Sequence, residues 1–164
     1  MSKPILTQAR LRELFDYDPE TGVFVWRVRP NGRVPAGSIA HHIDNAGYNR
    51  IGLDRRLHAA HRLAWVYMTG SHPLGQIDHI NGIRHDNRWV NLRDVSKTHN
   101  IQNQRVAHSQ NNTGYLGVSP KNNKWQASIR VLNKQHYLGV FATPALAHQA
   151  YVEAKRIFHP TCSI

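Results

Sequence analysis

At 164 residues with a formal net charge of +11, the chain has room for one medium domain or two small ones, and its charge favours a polyanion partner. No stretch approaches the roughly 20 apolar residues of a membrane span, and no basic amphipathic helix with a broad apolar face points to a membrane surface. The single cysteine, Cys162, excludes an internal disulfide and a Cys-based zinc site, and its place near the end argues against a catalytic thiol.

Met1-Ser2-Lys3-Pro4 lacks a following apolar run, so no secretory leader is expected and the protein reads as soluble and cytoplasmic. Residues 5–16 read as a short helix, with Leu6, Leu11, Leu14 and Phe15 near helical spacing and Thr7 as N-cap. Asp18-Pro19-Glu20-Thr21-Gly22 is turn chemistry, Val23–Trp26 a strand, and Pro30 to Gly37 a loop. Asn45-Ala46-Gly47 turns into Tyr48–Leu53, which alternates like a strand. Residues 58–69 read as a helix that Gly70 ends and Pro73 prevents from continuing.

Ile77–Ile80 and Leu92–Val95 read as two short strands around a polar loop, and Ser96 caps a helix starting near Lys97. Residues 105–112 read as a linker. Beyond them Tyr115–Ser119, Lys124–Val131 and Gln135–Phe141 are three strand candidates, followed by a helix opened by Thr143-Pro144. The four tryptophans, Trp26, Trp65, Trp89 and Trp125, are spread along the chain, so each proposed module has an aromatic to pack. The charge is uneven: residues 1–104 carry 14 Lys/Arg against nine Asp/Glu, and residues 105–164 carry seven against Glu153 alone.

The segment Ile77-Asp78-His79-Ile80-Asn81-Gly82 carries an Asp-His pair, followed by an Asn twelve residues after His79 and another nine residues later. Cleaving a phosphodiester requires an activated water and charge stabilisation at phosphorus. A hard cation takes oxygen ligands, for which Asp78 supplies a charged donor and Asn100 a neutral one. His79, with an ordinary pKa near 6.5, accepts a proton from water at neutral pH. Successive strand residues point to opposite sides, so aiming both at one phosphate predicts a twist or bulge near Asn81-Gly82.

Ala60-His61-Arg62-Leu63-Ala64-Trp65, Asp78-His79, Asp86-Asn87-Arg88, Asn91-Leu92-Arg93 and Asn100 together resemble the HNH endonucleases of phages and mobile introns. The resemblance covers roughly residues 60–104. It implies a ββα-metal hairpin and helix, with His79 as general base and Asp78 and Asn100 as metal ligands. It implies that Asn91 orients His79 and braces the loop. Some members carry His where this chain has Asn100. One divalent ion, Mg²⁺ or Mn²⁺, is expected. Tyr17–Phe24 also resembles the N-terminal segment of such phage proteins. Arg84 and Arg88, in the polar loop, are DNA-contact candidates.

Asn112–Val118, Lys124–Arg130, Tyr137–Phe141 and Ala147–Tyr151 resemble the AP2 DNA-binding domain, a three-stranded antiparallel sheet backed by one helix. The matching positions place Ser119, Lys121, Lys124, Ser128, Arg130, Gln135 and Tyr137 on the DNA side. Arg130 is the candidate for a guanine contact; Lys121 and Lys124 suit phosphates. Trp125 reads as sheet packing. Leu116, Ser119 and Gln135 stand where plant members use arginine, so their target sequence does not carry over.

The expected protein is α+β: an HNH nuclease module over residues 1–104, a linker over 105–112, and an AP2-like reader over 113–164. The expected activity is metal-dependent, homing-type cleavage of double-stranded DNA, as a nick or double-strand break, with no protein partner and a monomer favoured over a dimer. The alternatives are a catalytically inactive DNA-binding regulator that keeps the HNH fold, and an RNA-binding or zinc-structured protein using His79, His85 and His99.

Overall fold

The computed structural model describes residues 6–103, 107 and 111–159. The leader reading at Met1–Pro4, most of the expected linker and Cys162 lie outside the described residues. The chain divides into two compact units, Met1–Ser96 and Lys97–Ile164.

In the first unit, helix α1 (Gln8–Leu14) starts where Thr7 Oγ1 accepts a hydrogen bond from Arg10 N, as its N-cap position predicts. The expected helix stops two residues early. Phe15 opens strand β1 (Phe15–Asp18), which pairs antiparallel with β2 (Val23–Trp26). Phe15 is drawn out of the helix by packing: its ring lies 4.2 Å from Trp26 and 5.6 Å from Phe24. A three-stranded antiparallel sheet follows, in the order β3 (His42–Ile43), β4 (Asn49–Leu53), β5 (Arg56–Ala59).

Strand β5 takes residues that read as the start of a helix, because their backbone groups pair with β4. Helix α2 therefore begins at Ala60 and runs to Thr69, closed by Gly70 in the left-handed conformation at φ 77°. Its buried face meets Leu11, Phe24, Ile51 and Ile77 in one core. Next come β6 (Gln76–His79) and β7 (Leu92–Val95), paired antiparallel, with a 3₁₀ turn at Trp89–Asn91 just before β7.

The second unit opens with helix α3 (Lys97–Gln102), continues with β8 (Val118–Lys121), β9 (Lys124–Val131) and β10 (Lys134–Phe141), and ends in α4 (Pro144–Phe158). The first strand begins three residues later and ends two residues later than its sequence suggested. The sheet is antiparallel with β9 at its centre, and α4 packs on it through Val118, Ala127 and Ala147, with Trp125 against that core. Thr143 caps α4 and Pro144 fills its first turn. Asn122-Asn123 and Leu132-Asn133 make two-residue turns with both φ angles positive, the geometry that matches strand twist. Among the described residues no helix is long and apolar enough to cross a membrane.

Candidate active site and nucleic-acid interface

The β6–β7 hairpin sets out the chemistry. Its register is continuous, with Asp78 opposite Arg93 and His79 opposite Leu92. The expected bulge is therefore not found: the ladder stays regular and the chain departs from it only afterwards, where Gly82 takes φ 75° and its N–H bonds His79 O at 2.8 Å. Alternation places Asp78 and His79 on opposite faces, and both are buried, at 9% and 5% exposure.

On one face, Asp78 Oδ2 accepts from Arg93 Nε at 2.9 Å and lies 2.8 Å from another of its guanidinium nitrogens. On the other face His79 sits in a cluster. Its Nε2 lies 3.2 Å from Asn87 Oδ1, and its ring centroid lies 5.1 Å from His61 and 6.1 Å from Tyr48. An amide oxygen only accepts, so in this arrangement Nε2 carries the hydrogen and Nδ1 keeps its lone pair. Two buried nitrogens here, His61 Nδ1 and Asn87 Nδ2, have no partner among the described residues. Orphaned buried polar atoms are rare in packed cores and call for an explanation, such as an ordered water or ion or a chemical role.

Burial lowers the pKa of both histidines. His61 falls to about 3, through desolvation first and the neighbouring His79, Arg50 and Arg62 charges after it. His79 is lowered by desolvation, against which the Asn87 hydrogen bond and the Asp78 and Asp86 charges act. A lowered folded pKa means that the unfolded chain takes up the proton first on acidification. Stability present at neutral pH is then lost from about pH 6.5 downward. His61 alone should remove about 2 kcal/mol between pH 6.5 and 5. Urea unfolding at the two pH values measures this; His61→Gln should flatten the dependence, and an equally steep loss in that variant would refute the assignment.

The loop between the strands is held by its own amides. Asn91 Oδ1 accepts from Asn81 N at 2.9 Å, and Asn91 Nδ2 donates to Asp86 O at 2.7 Å. Asp86 accepts from Asn81 Nδ2 and from both Nε and Nη2 of Arg88, and the Arg88 hydrogen bonds lower its pKa to about 2. The side chain beside the imidazole is thus Asn87, while the bonds of Asn91 go to the loop. Asn87 stood in the quoted Asp86-Asn87-Arg88 run, yet nothing in that spacing showed that a residue eight positions on returns to His79.

The β1–β2 turn buttresses this loop. Tyr17, whose phenol burial pushes up and keeps neutral, donates to Asn87 O at 2.7 Å, and Trp89 N donates to Pro19 O at 2.9 Å. A methyl on Gly22 would overlap the Asn87–Arg88 backbone. Of the loop arginines, Arg88 is committed to Asp86, whereas Arg84 donates to Ala46 O and lies 5.3 Å over the Tyr48 ring. Asn100 lies on α3, in the second unit.

In the second unit, the register sorts the expected DNA contacts. Ser119 faces Gln126 and Lys121 faces Lys124 across β8–β9; Gln135 faces Arg130 and Tyr137 faces Ser128 across β9–β10. Alternating with buried Ala127 and Ile129, these side chains share the sheet face opposite α4. Gln135 Nε2 donates to Ser128 Oγ at 3.0 Å, and Lys121 Nζ lies 5.7 Å over the Tyr137 ring. Gln126 belongs to the same face by register and was not singled out from sequence.

A resident cation is limited by the donors present. Among the described residues no group of three or more His, Cys, Asp or Glu side chains is arranged to hold a metal. A Mg²⁺-type ion asks for less, one or two carboxylates with substrate phosphates and water completing its shell. Asp78, a buried carboxylate paired with Arg93, supplies one charged oxygen donor of the kind such an ion takes.

No curated protein and no solved structure matches this chain. The model of the HNH endonuclease family matches residues 58–102, the stretch that bears His61, Asp78, His79, Asn87 and Asn91. This part of the chain is accordingly similar to the HNH endonucleases.

Proposed function

We propose that the protein is a metal-dependent, homing-type DNA endonuclease, with a nuclease module over residues 1–104 and a DNA-reading, AP2-like module over 113–164. The observation that carries this reading is the buried His79 imidazole, with Nε2 against Asn87 and Nδ1 left as the base, inside the segment similar to HNH endonucleases. His79 Nδ1 removes a proton from the attacking water. Asp78, on the other face of the strand, would be the charged ligand to one Mg²⁺ or Mn²⁺ ion. The ion, when bound, offsets charge on the phosphate oxygens. Asn81, Asp86 and Asn91 keep the loop, and with it Asn87, in place.

Supercoiled and linear phage and host DNA, incubated with Mg²⁺ or Mn²⁺, should be cut to 3′-hydroxyl and 5′-phosphate ends, and EDTA should stop cutting without unfolding the chain. A catalytically inactive DNA-binding regulator is the second reading. The observation in its favour is the Asp78–Arg93 ion pair, which a metal must share. Duplex binding without cleavage of a broad DNA library under both metals would establish it.

The sheet face makes a separate prediction. Arg130→Ala should cost about 1–3 kcal/mol of discrimination at one base pair. Lys124→Ala should weaken all sequences alike and lower the salt slope by about 1. Binding to a randomised duplex pool reads both; an unaltered preference in Arg130→Ala would remove this residue from base reading.

A further inference from the structure

The first unit holds an open cleft of about 1060 Å³, lined by α1, the chain after β2 and the β4–β5 turn. Four arginines line it: Arg10, Arg29, Arg55 and Arg56. The carboxylates there are Glu13 and Asp54. Arg10 is paired with Glu13 at 2.9 Å. Arg29, Arg55 and Arg56 are exposed and enter no ion pair among the described residues.

Arg55 lies in the β4–β5 turn and Arg56 follows it as the first residue of β5. Asp54 and Arg55 both take left-handed backbone angles, φ 51° and 60°, where Asn-Gly is the favoured pair. Each side chain there costs about 1–2 kcal/mol. Packing does not require them, since both are exposed. The pair sets Arg55 at the tip directly before Arg56, the first residue of β5, beside an apolar rim where Leu57 is 63% exposed. Between residues 6 and 96 every Lys/Arg position is arginine, the side chain whose planar fork grips phosphate in two bonds.

We propose that this cleft is a duplex-holding site, in which Arg29, Arg55 and Arg56 clamp the phosphate backbone of DNA. It uses none of the residues of the β6–β7 hairpin or of the β8–β10 sheet. The clamp rests on the reading of DNA as substrate, and its test is independent of cutting.

Duplex affinity is measured from 50 to 300 mM salt in metal-free buffer, for the full chain carrying His79→Ala and for that chain with Arg29→Ala, Arg55→Ala and Arg56→Ala added. Each lost phosphate contact lowers the slope of log K against log salt by about 0.9, so a fall of about 2 to 3 is expected. The corresponding Arg→Lys triple keeps the charges and should keep most of the slope. Binding by the His79→Ala parent with an unchanged slope in the alanine triple would overturn the clamp and leave the nuclease reading intact. No duplex binding by the parent would overturn both. A free nucleotide that occupies the cleft while the duplex slope stays unchanged would also overturn it, assigning the arginines to a small phosphate ligand.

Discussion

Replacing His79 by alanine should lower the cutting rate by about 10²- to 10⁴-fold, the range that a positioned general base contributes. Duplex binding should be nearly unchanged, because the imidazole is only 5% exposed and presents little surface to a ligand. Single-turnover cleavage at saturating enzyme separates the chemical step from binding. Imidazole added to the alanine variant should restore part of the rate. Equal loss of binding and cutting, with no rescue, would mean that His79 holds the fold rather than the proton.

The same assignment fixes a pH dependence. A base works in its neutral form, and burial lowers the His79 pKa below its ordinary 6.5. The acid limb of kcat/KM, which reports the free enzyme, should therefore lie below pH 6.5, with full activity from that limb into the neutral range. Asn87→Leu removes the hydrogen-bond partner of Nε2, which favours the charged imidazolium, and should move the limb lower still. A limb that rises in this variant would reverse the role given to Asn87.

Much of the local structure is legible in residue order. Thr7, Gly70 and Thr143-Pro144 mark helix ends through caps that depend on neighbours three or four positions away. Strands β7 and β9 keep the bounds their patterns suggest. What escaped sequence reading depends on partners far along the chain. Phe15 fits the helical spacing of Leu11 and Leu14 but joins Trp26 in a ladder, and His58 and Ala59 read as a helix start until β4 pairs with them. The site follows the same division. The Asp78-His79 pair and Asn91 are visible as spacing. The contact of His79 with Asn87, the pairing of Asp78 with Arg93, and the shared face of the β8–β10 side chains are products of register and loop closure.

The turn at Gly22 connects these levels, and Gly22→Ala should destabilise the first unit strongly. Gly22 sits at φ 73°, where a Cβ costs about 1–2 kcal/mol. The added methyl would also strike the backbone of Asn87 and Arg88, and overpacking adds about 1–3 kcal/mol. The expected total is about 2–5 kcal/mol. Gly47 is the control: its φ is 83°, but nothing lies within 4 Å of its absent Cβ, so Gly47→Ala should lose only the backbone part. Urea unfolding of the two variants gives the difference. Cutting adds a second readout, because the struck backbone carries the side chain beside His79. Gly22→Ala should lose turnover even under conditions where it stays folded, while Gly47→Ala keeps it. Tyr17→Phe, which deletes the hydrogen bond to Asn87 O without adding volume, should fall between them in both measurements. Equal stability and equal turnover in the two glycine variants would show that the β1–β2 turn does not position the catalytic loop.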